Sequence, residues 1–145
     1  MIKANDITKA LIEAFDNDSG FNGFTLERSE YVNENPSLCP WLGVYRAGMD
    51  YQPETLGLGE DHWTGLFTVN IVVQAANMAS GEESEDDLES YVELVISKVF
   101  ADTSIGAIVD MVNSVKVTYS YKAEDETSMY FQSAIIEMIM EVSTS

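Results

Sequence analysis

The chain has 145 residues, 46% of them hydrophobic and 10% aromatic, and a formal net charge of −18. That length fits one domain able to bury roughly two thirds of its unfolded surface, and that apolar content excludes a disordered chain. The charge excludes tight binding of nucleic acid, which depends on Lys and Arg displacing counterions from phosphate, while a single cysteine, Cys39, excludes an internal disulfide and fits a reduced compartment.

The opening "MIKANDITKALIEAF" has no apolar run long enough for an export signal, and no window approaches the roughly 20 apolar residues of a membrane span. A protein without membrane contact is expected. Ile7, Leu11, Ala14 and Phe15 recur at helical spacing, and Asn5 or Asp6 can cap the first turn; "DNDSGFNG" ends the helix. "FTLERSEYV", Phe24 to Val32, puts Phe24, Leu26 and Val32 on one side of a strand, but Arg28 and Glu30 share that side and indicate a partly solvated, twisted or edge position. "NENPSLCP" reads as a turn and "WLGVYRAG", Trp41 to Gly48, as a short second strand. A long loop is expected from Met49 to Gly65.

"LFTVNIVVQAA", Leu66 to Ala76, is the strongest strand signal: Phe67, Val69, Ile71, Val73 and Ala75 line one face and Thr68, Asn70 and Gln74 the other. A central position follows. Leu88, Val92, Val95, Ile96 and Val99 then mark a helical stripe, and Ile105, Ile108, Val109 and Val112 a second short helix over Ser104 to Val112. "VKVTYSY" alternates cleanly, "AEDETS" turns it, and "MYFQSAIIEMIMEV" pairs back as a hairpin. Residues 134–142 also fit a helical period through Ile135, Met138, Ile139 and Val142. The predicted fold is a single α+β domain over residues 1–145: an N-terminal helix and a mainly antiparallel sheet of about five strands, with a helix pair packed on one face.

Charge is distributed unevenly. From Ala47 to Ser97 there is no Lys or Arg, while eleven of the 25 acids fall in that interval. Six of them, Glu82, Glu83, Glu85, Asp86, Asp87 and Glu89, crowd the start of the helix, where Ser84 can cap with Asp87 three residues on. Carboxylates in a first turn are favoured by the exposed amides, each by about 0.3 to 1 kcal/mol, but six exceed what a helix end needs and repel one another. A solvated, lumen-facing or docking surface is the reading for them. "EESEDDLESY" lacks the alternation and the glycine of a calcium loop, so no metal is expected.

Catalytic chemistry is sparse. His62 is the only histidine, beside Glu60 and Asp61, and Cys39 sits between Leu38 and Pro40 with nothing to activate it. Gly57 and Gly59 precede acids and a Trp rather than a lysine-bearing helix, which argues against phosphate cradling. No enzyme activity and no cofactor are expected. Trp41, Tyr45, Tyr51 and Trp63 remain as interface candidates, because Trp and Tyr concentrate at the centres of protein interfaces. On the closing strand, Ile135 and Ile139 add apolar surface opposite the face formed by Tyr130, Ala134, Ile136, Met138, Met140 and Val142. A strand apolar on both faces needs cover on both, from a helix of the same chain or from a neighbouring subunit.

The whole-chain layout resembles the tail terminator and minor tail proteins of long-tailed bacteriophages. The likeness runs through the opening helix, "PWLGVYRAG" with "YQPETLGLG", "WTGLFTVNIVVQAA", the acidic start of "DDLESYVELVISKVF", and the closing hairpin "VTYSYKAEDETSMYFQSAIIEMIMEVST". It implies a non-enzymatic structural protein of the virion tail, assembled in the host cytoplasm as a ring of six copies. Such a ring caps the tail tube, ends its polymerisation and docks the head or connector. The partners implied are copies of itself, the tube protein and a head-completion or connector protein, and a negatively lined channel would let DNA pass without sticking. The alternative is an acidic type III secretion chaperone, a homodimer that binds an effector segment and usually closes on a further helix. A small enzyme using clustered carboxylates is weaker, because the acids share one segment and lack a partner in an opposite environment.

Overall fold

The computed structural model describes residues 2–28, 32–53, 63–122 and 130–143. Helix α1 spans Ala4–Asp16 and helix α2 Gly81–Ala101; the strands are β1 Thr25–Arg28, β2 Trp41–Pro53, β3 Trp63–Asn77, β4 Met111–Lys122 and β5 Tyr130–Ser143. They form one five-stranded sheet in the order β1-β2-β3-β5-β4. Only β1 runs parallel to its neighbour; the other three pairings are antiparallel. The expected α+β class, the central strand, the edge position of the first strand and the closing hairpin are all present. Among the described residues no helix is long and apolar enough to cross a membrane.

Both helices cover one face of this sheet. Ile7, Leu11 and Phe15 of α1 and Leu88, Val92, Val95 and Val99 of α2 bury against Phe67, Val69, Ile71, Val73 and Ala75 of β3 and Ala134, Ile136, Met138 and Met140 of β5. Each such side chain contributes about 1.5 to 3 kcal/mol when fully buried. The rings of Phe15, Phe21, Phe24 and Tyr91 follow one another at 4.9, 5.4 and 5.0 Å and tie α1 through the first turn and strand to α2. In α1 the Asp6 carboxylate accepts a hydrogen bond from the Lys3 backbone N–H at 2.8 Å, so the acid named as a cap acts from inside the first turn.

Several boundaries differ from the sequence expectation. Met49 to Pro53 and Trp63 to Gly65 are strand rather than loop, Met49 to Pro53 pairing with Trp63 to Phe67 across β2 and β3; residues 54–62, with His62, Gly57 and Gly59, lie outside the described residues. The first strand is described only to Arg28, with 29–31 also outside. Residues 103–110 form a series of turns rather than a second short helix. The Asp102 carboxylate accepts from the backbone N–H groups of Ser104 and Gly106, and Ile105, Gly106 and Ala107 all take positive φ, which a right-handed helix cannot contain. The Asp110 N–H then donates to the Glu141 carbonyl, and the sheet ladder takes over. The helix that packs beside α2 is therefore α1.

The face away from the helices is covered at one end by residues 33–40. Asn33 and Gln74 are both buried and exchange amide hydrogen bonds: Asn33 Nδ2 donates to Gln74 Oε1 at 3.0 Å, and Gln74 Nε2 donates to the Asn33 carbonyl at 2.9 Å. Gln74 lies in register between Trp41 and Ser133. Asn33→Ala leaves Gln74 Oε1 buried without its donor, while Gln74 Nε2 keeps the main-chain carbonyl of residue 33, so the variant should destabilise the fold by roughly 1 to 3 kcal/mol. Urea unfolding followed by tryptophan fluorescence measures it, and the double variant with Gln74→Leu should lose less than the sum of the single losses by at least about 0.5 kcal/mol.

Candidate functional site

Two surfaces collect the residues singled out in the sequence. The first is the sheet face away from the helices. Ile135 stands opposite Val72 and Thr118, and Ile139 opposite Thr68 and Ser114; both are half-buried and touch neither helix-facing row. Tyr45 shares this face, and its hydroxyl accepts from Asn70 Nδ2 at 3.2 Å. Around them run Thr, Ser, Lys116 and Glu137, so the face is mixed rather than apolar throughout.

Two of the aromatic candidates are committed inside the chain. Trp41 has no exposed surface, and its ring lies over Gly43 so closely that a Cβ there would sit 2.2 Å from it. It belongs to the small core under residues 33–40 and offers nothing to a partner. Tyr51 points to the helix side, where its ring meets Phe67 edge-on at 5.8 Å. Trp63 is half-buried at the start of β3, in register with Pro53. Strand alternation separates these residues: neighbours in sequence are not neighbours on a face.

The second surface is the start of α2. Ser80, not Ser84, is the N-cap: its hydroxyl accepts the Glu83 N–H at 3.0 Å. Ser84 is fully buried one turn inside, where its hydroxyl donates to the Tyr130 carbonyl at 3.0 Å and stitches α2 to β5. Gln132 adds a second stitch, donating to the Gly81 carbonyl at 3.1 Å. A hydroxyl four residues after the true cap can be read as a cap from sequence because its actual acceptor lies 46 positions away.

This anchoring sorts the six acids. Glu82 and Glu83 lie in the first turn, where the helix end favours them. Asp87 accepts from the Asn77 side-chain amide at 3.1 Å. Glu85, Asp86 and Glu89 are exposed and wall a cleft of about 340 Å³ whose other side is Tyr119, Ser120 and Gln132. Among the described residues no Lys or Arg lines that cleft. Glu85 and Glu89 are four apart on one helix face, a like-charge spacing that weakens a helix by about 0.2 to 0.5 kcal/mol. Lys98 sits at the far end of α2 and pairs with Asp18 at 3.1 Å. Sequence reasoning missed Tyr119 and Gln132, which reach this cleft only through the pairing of β4 with β5.

Among the described residues no group of three His, Cys, Asp or Glu side chains is arranged to hold a metal. Burial pushes the Cys39 thiol up to about 12, against a smaller opposing pull from the Trp41 backbone N–H. No family model matches this chain, and no curated protein matches it either.

At pH 8 such a thiol is ionised in only about one molecule in ten thousand, too little for a nucleophile. Alkylation of Cys39 by iodoacetamide at pH 8, followed by mass spectrometry, should therefore run at least about tenfold slower in the folded protein than in urea. Equal rates would make the thiol accessible and reopen a nucleophilic role.

Proposed function

We propose that this chain is a non-enzymatic structural protein of a phage tail. Copies of it form a hexameric ring that caps the tail tube, ends tube polymerisation and presents the docking surface for the head or connector. The observation that carries this reading is the sheet face bearing Tyr45, Ile135 and Ile139. Helices of the same chain cover the opposite face, and, among the described residues, 33–40 cover one end of this one. A neighbouring subunit is the natural cover for what remains. The acids at the start of α2 give the ring a negative surface that would repel DNA phosphate from a channel through which the genome passes. The virion tail is the proposed location, reached by assembly in the host cytoplasm.

Residues 130–143 are a strand paired on both sides, so the helical period of residues 134–142 supplies no helix of the secretion-chaperone kind within them. The mass of the purified protein by light scattering, over a range of protein concentration and salt, separates the two. A particle of six 16.1 kDa chains, or a monomer that moves toward it as salt screens the charge, is expected. A stable dimer at all salts would overturn the ring in favour of the chaperone. Ile139→Glu should abolish the larger particle while leaving the circular dichroism spectrum unchanged, because its side chain leaves the helix-facing core untouched.

A further inference from the structure

β4 ends the sheet. Its inner side pairs with β5 from Met111 to Lys122, and among the described residues no backbone group bonds to its outer side. A row of unpaired donors and acceptors of this kind is a template for another extended chain. Folds usually blunt such an edge. Here a bulge between Val112 and Ser114 interrupts the start of the strand, but the register then runs without a break from Ser114 to Lys122. Lys116, the charge in the middle of that run, stands opposite Glu137 on the face away from the helices. It does not guard the helix side.

The helix side is where α2 stops short. α2 packs on β3 and β5 and leaves the strip of β4 beyond them partly open, with Tyr119 58% exposed. The cleft walled by Glu85, Asp86 and Glu89 opens directly beside this strip. A chain added to β4 would extend the cleft floor by one strand, at about 4.8 Å from β4, and would send alternate side chains toward the three carboxylates.

We infer that the outer edge of β4 takes an extended segment of a different protein as a sixth strand, with Lys or Arg at alternate positions set against Glu85, Asp86 and Glu89. The polarity comes from the cleft, which among the described residues holds three carboxylates and no cation. The Tyr119 ring adds a face on which a cationic or apolar side chain can rest. A second copy of this chain cannot be the occupant, because its seven Lys and Arg are scattered with no two closer than six positions apart. An extended segment with alternating cations does not exist in it. Phosphate-bearing partners are repelled by the same acids. This inference goes beyond the ring and does not depend on it, since it concerns an edge and not the face proposed to pack between copies.

The test uses a fluorescent peptide of about ten residues in which Lys alternates with Val and Thr, long enough for one added strand. Binding is read by anisotropy at low salt. Saturable binding to the full chain is expected, weakened roughly tenfold or more in Glu85→Gln/Asp86→Asn/Glu89→Gln, where three charge-assisted contacts are removed. These side chains are exposed, and an unchanged urea midpoint or a raised one certifies the variant's fold. Two further peptides carry N-methyl groups on one or the other set of alternate backbone nitrogens, with the charge unchanged. One of the two should fail to bind, because one set faces β4. Equal binding of all three peptides would reduce the effect to diffuse charge attraction and overturn strand addition. Equal binding by the triple variant would overturn the role of the acids, and absence of binding to the native chain would overturn the inference altogether. Hydrogen exchange supplies an independent readout: the amides of residues 114–122 should gain protection on binding while those of β1 do not.

Discussion

The pairing of β3 on both sides is the constraint on which the rest of the structure depends. Its fifteen residues meet β2 along one side and β5 along the other, and from Ile71 to Ala75 every residue is buried. A strand enclosed on both faces cannot leave a polar group unanswered. Gln74 is the one amide in that run, and the exchange of hydrogen bonds with Asn33 both satisfies it and pins residues 33–40 across the sheet. On the same face the fully buried Trp41 ring lies over Gly43. One strand thus sets the main core on its helix side and a small second core on its other side.

Cover is unequal beyond that pin, and the inequality shapes what the molecule offers to others. Two helices lie over one face of the sheet, packed chiefly on β1, β2, β3 and β5, and leave Tyr119 of β4 exposed. Ile135 and Ile139 are left half-buried among Thr and Ser, while Tyr119 is left beside three carboxylates. These surfaces differ in chemistry. The first is a mixed, nearly neutral sheet face suited to packing against a flat neighbour; the second is an acidic trough along a strand edge, suited to a threaded chain.

The charge asymmetry has a structural cause as well as a consequence. α2 is tethered at its start by Ser84 and Gln132 and at its end by the Lys98 ion pair with Asp18, so it tolerates a first half in which like charges repel. Tertiary contacts hold the helix in place while its acids stay in solvent. Repulsion among Glu85, Asp86 and Glu89 is thereby stored at a surface where a basic partner would relieve it.

Much of this fold is legible in the sequence where a pattern is local and long. The alternation of β3, the stripe of Leu88, Val92, Val95 and Val99 and the period through Val115 and Val117 each report which side of an element packs on the core, because side-chain direction follows from backbone geometry alone. What the sequence by itself could not decide were the choices made by distant partners. Residues 134–142 satisfy both a strand and a helix period, and pairing with β3 and β4 selects the strand. Ser84 reads as a cap, and a carbonyl on β5 makes it a buried tether instead. Residues 104–112 read as a helix, and positive φ at three successive residues followed by capture at Glu141 makes them the approach to β4. Trp41 reads as an interface residue, and the folded chain buries it completely. In each case the local preference is worth tenths of a kcal/mol to about one per residue, while a satisfied buried hydrogen bond or a fully buried side chain is worth more. The stronger interactions join residues far apart in the chain, so only the tertiary structure could decide them.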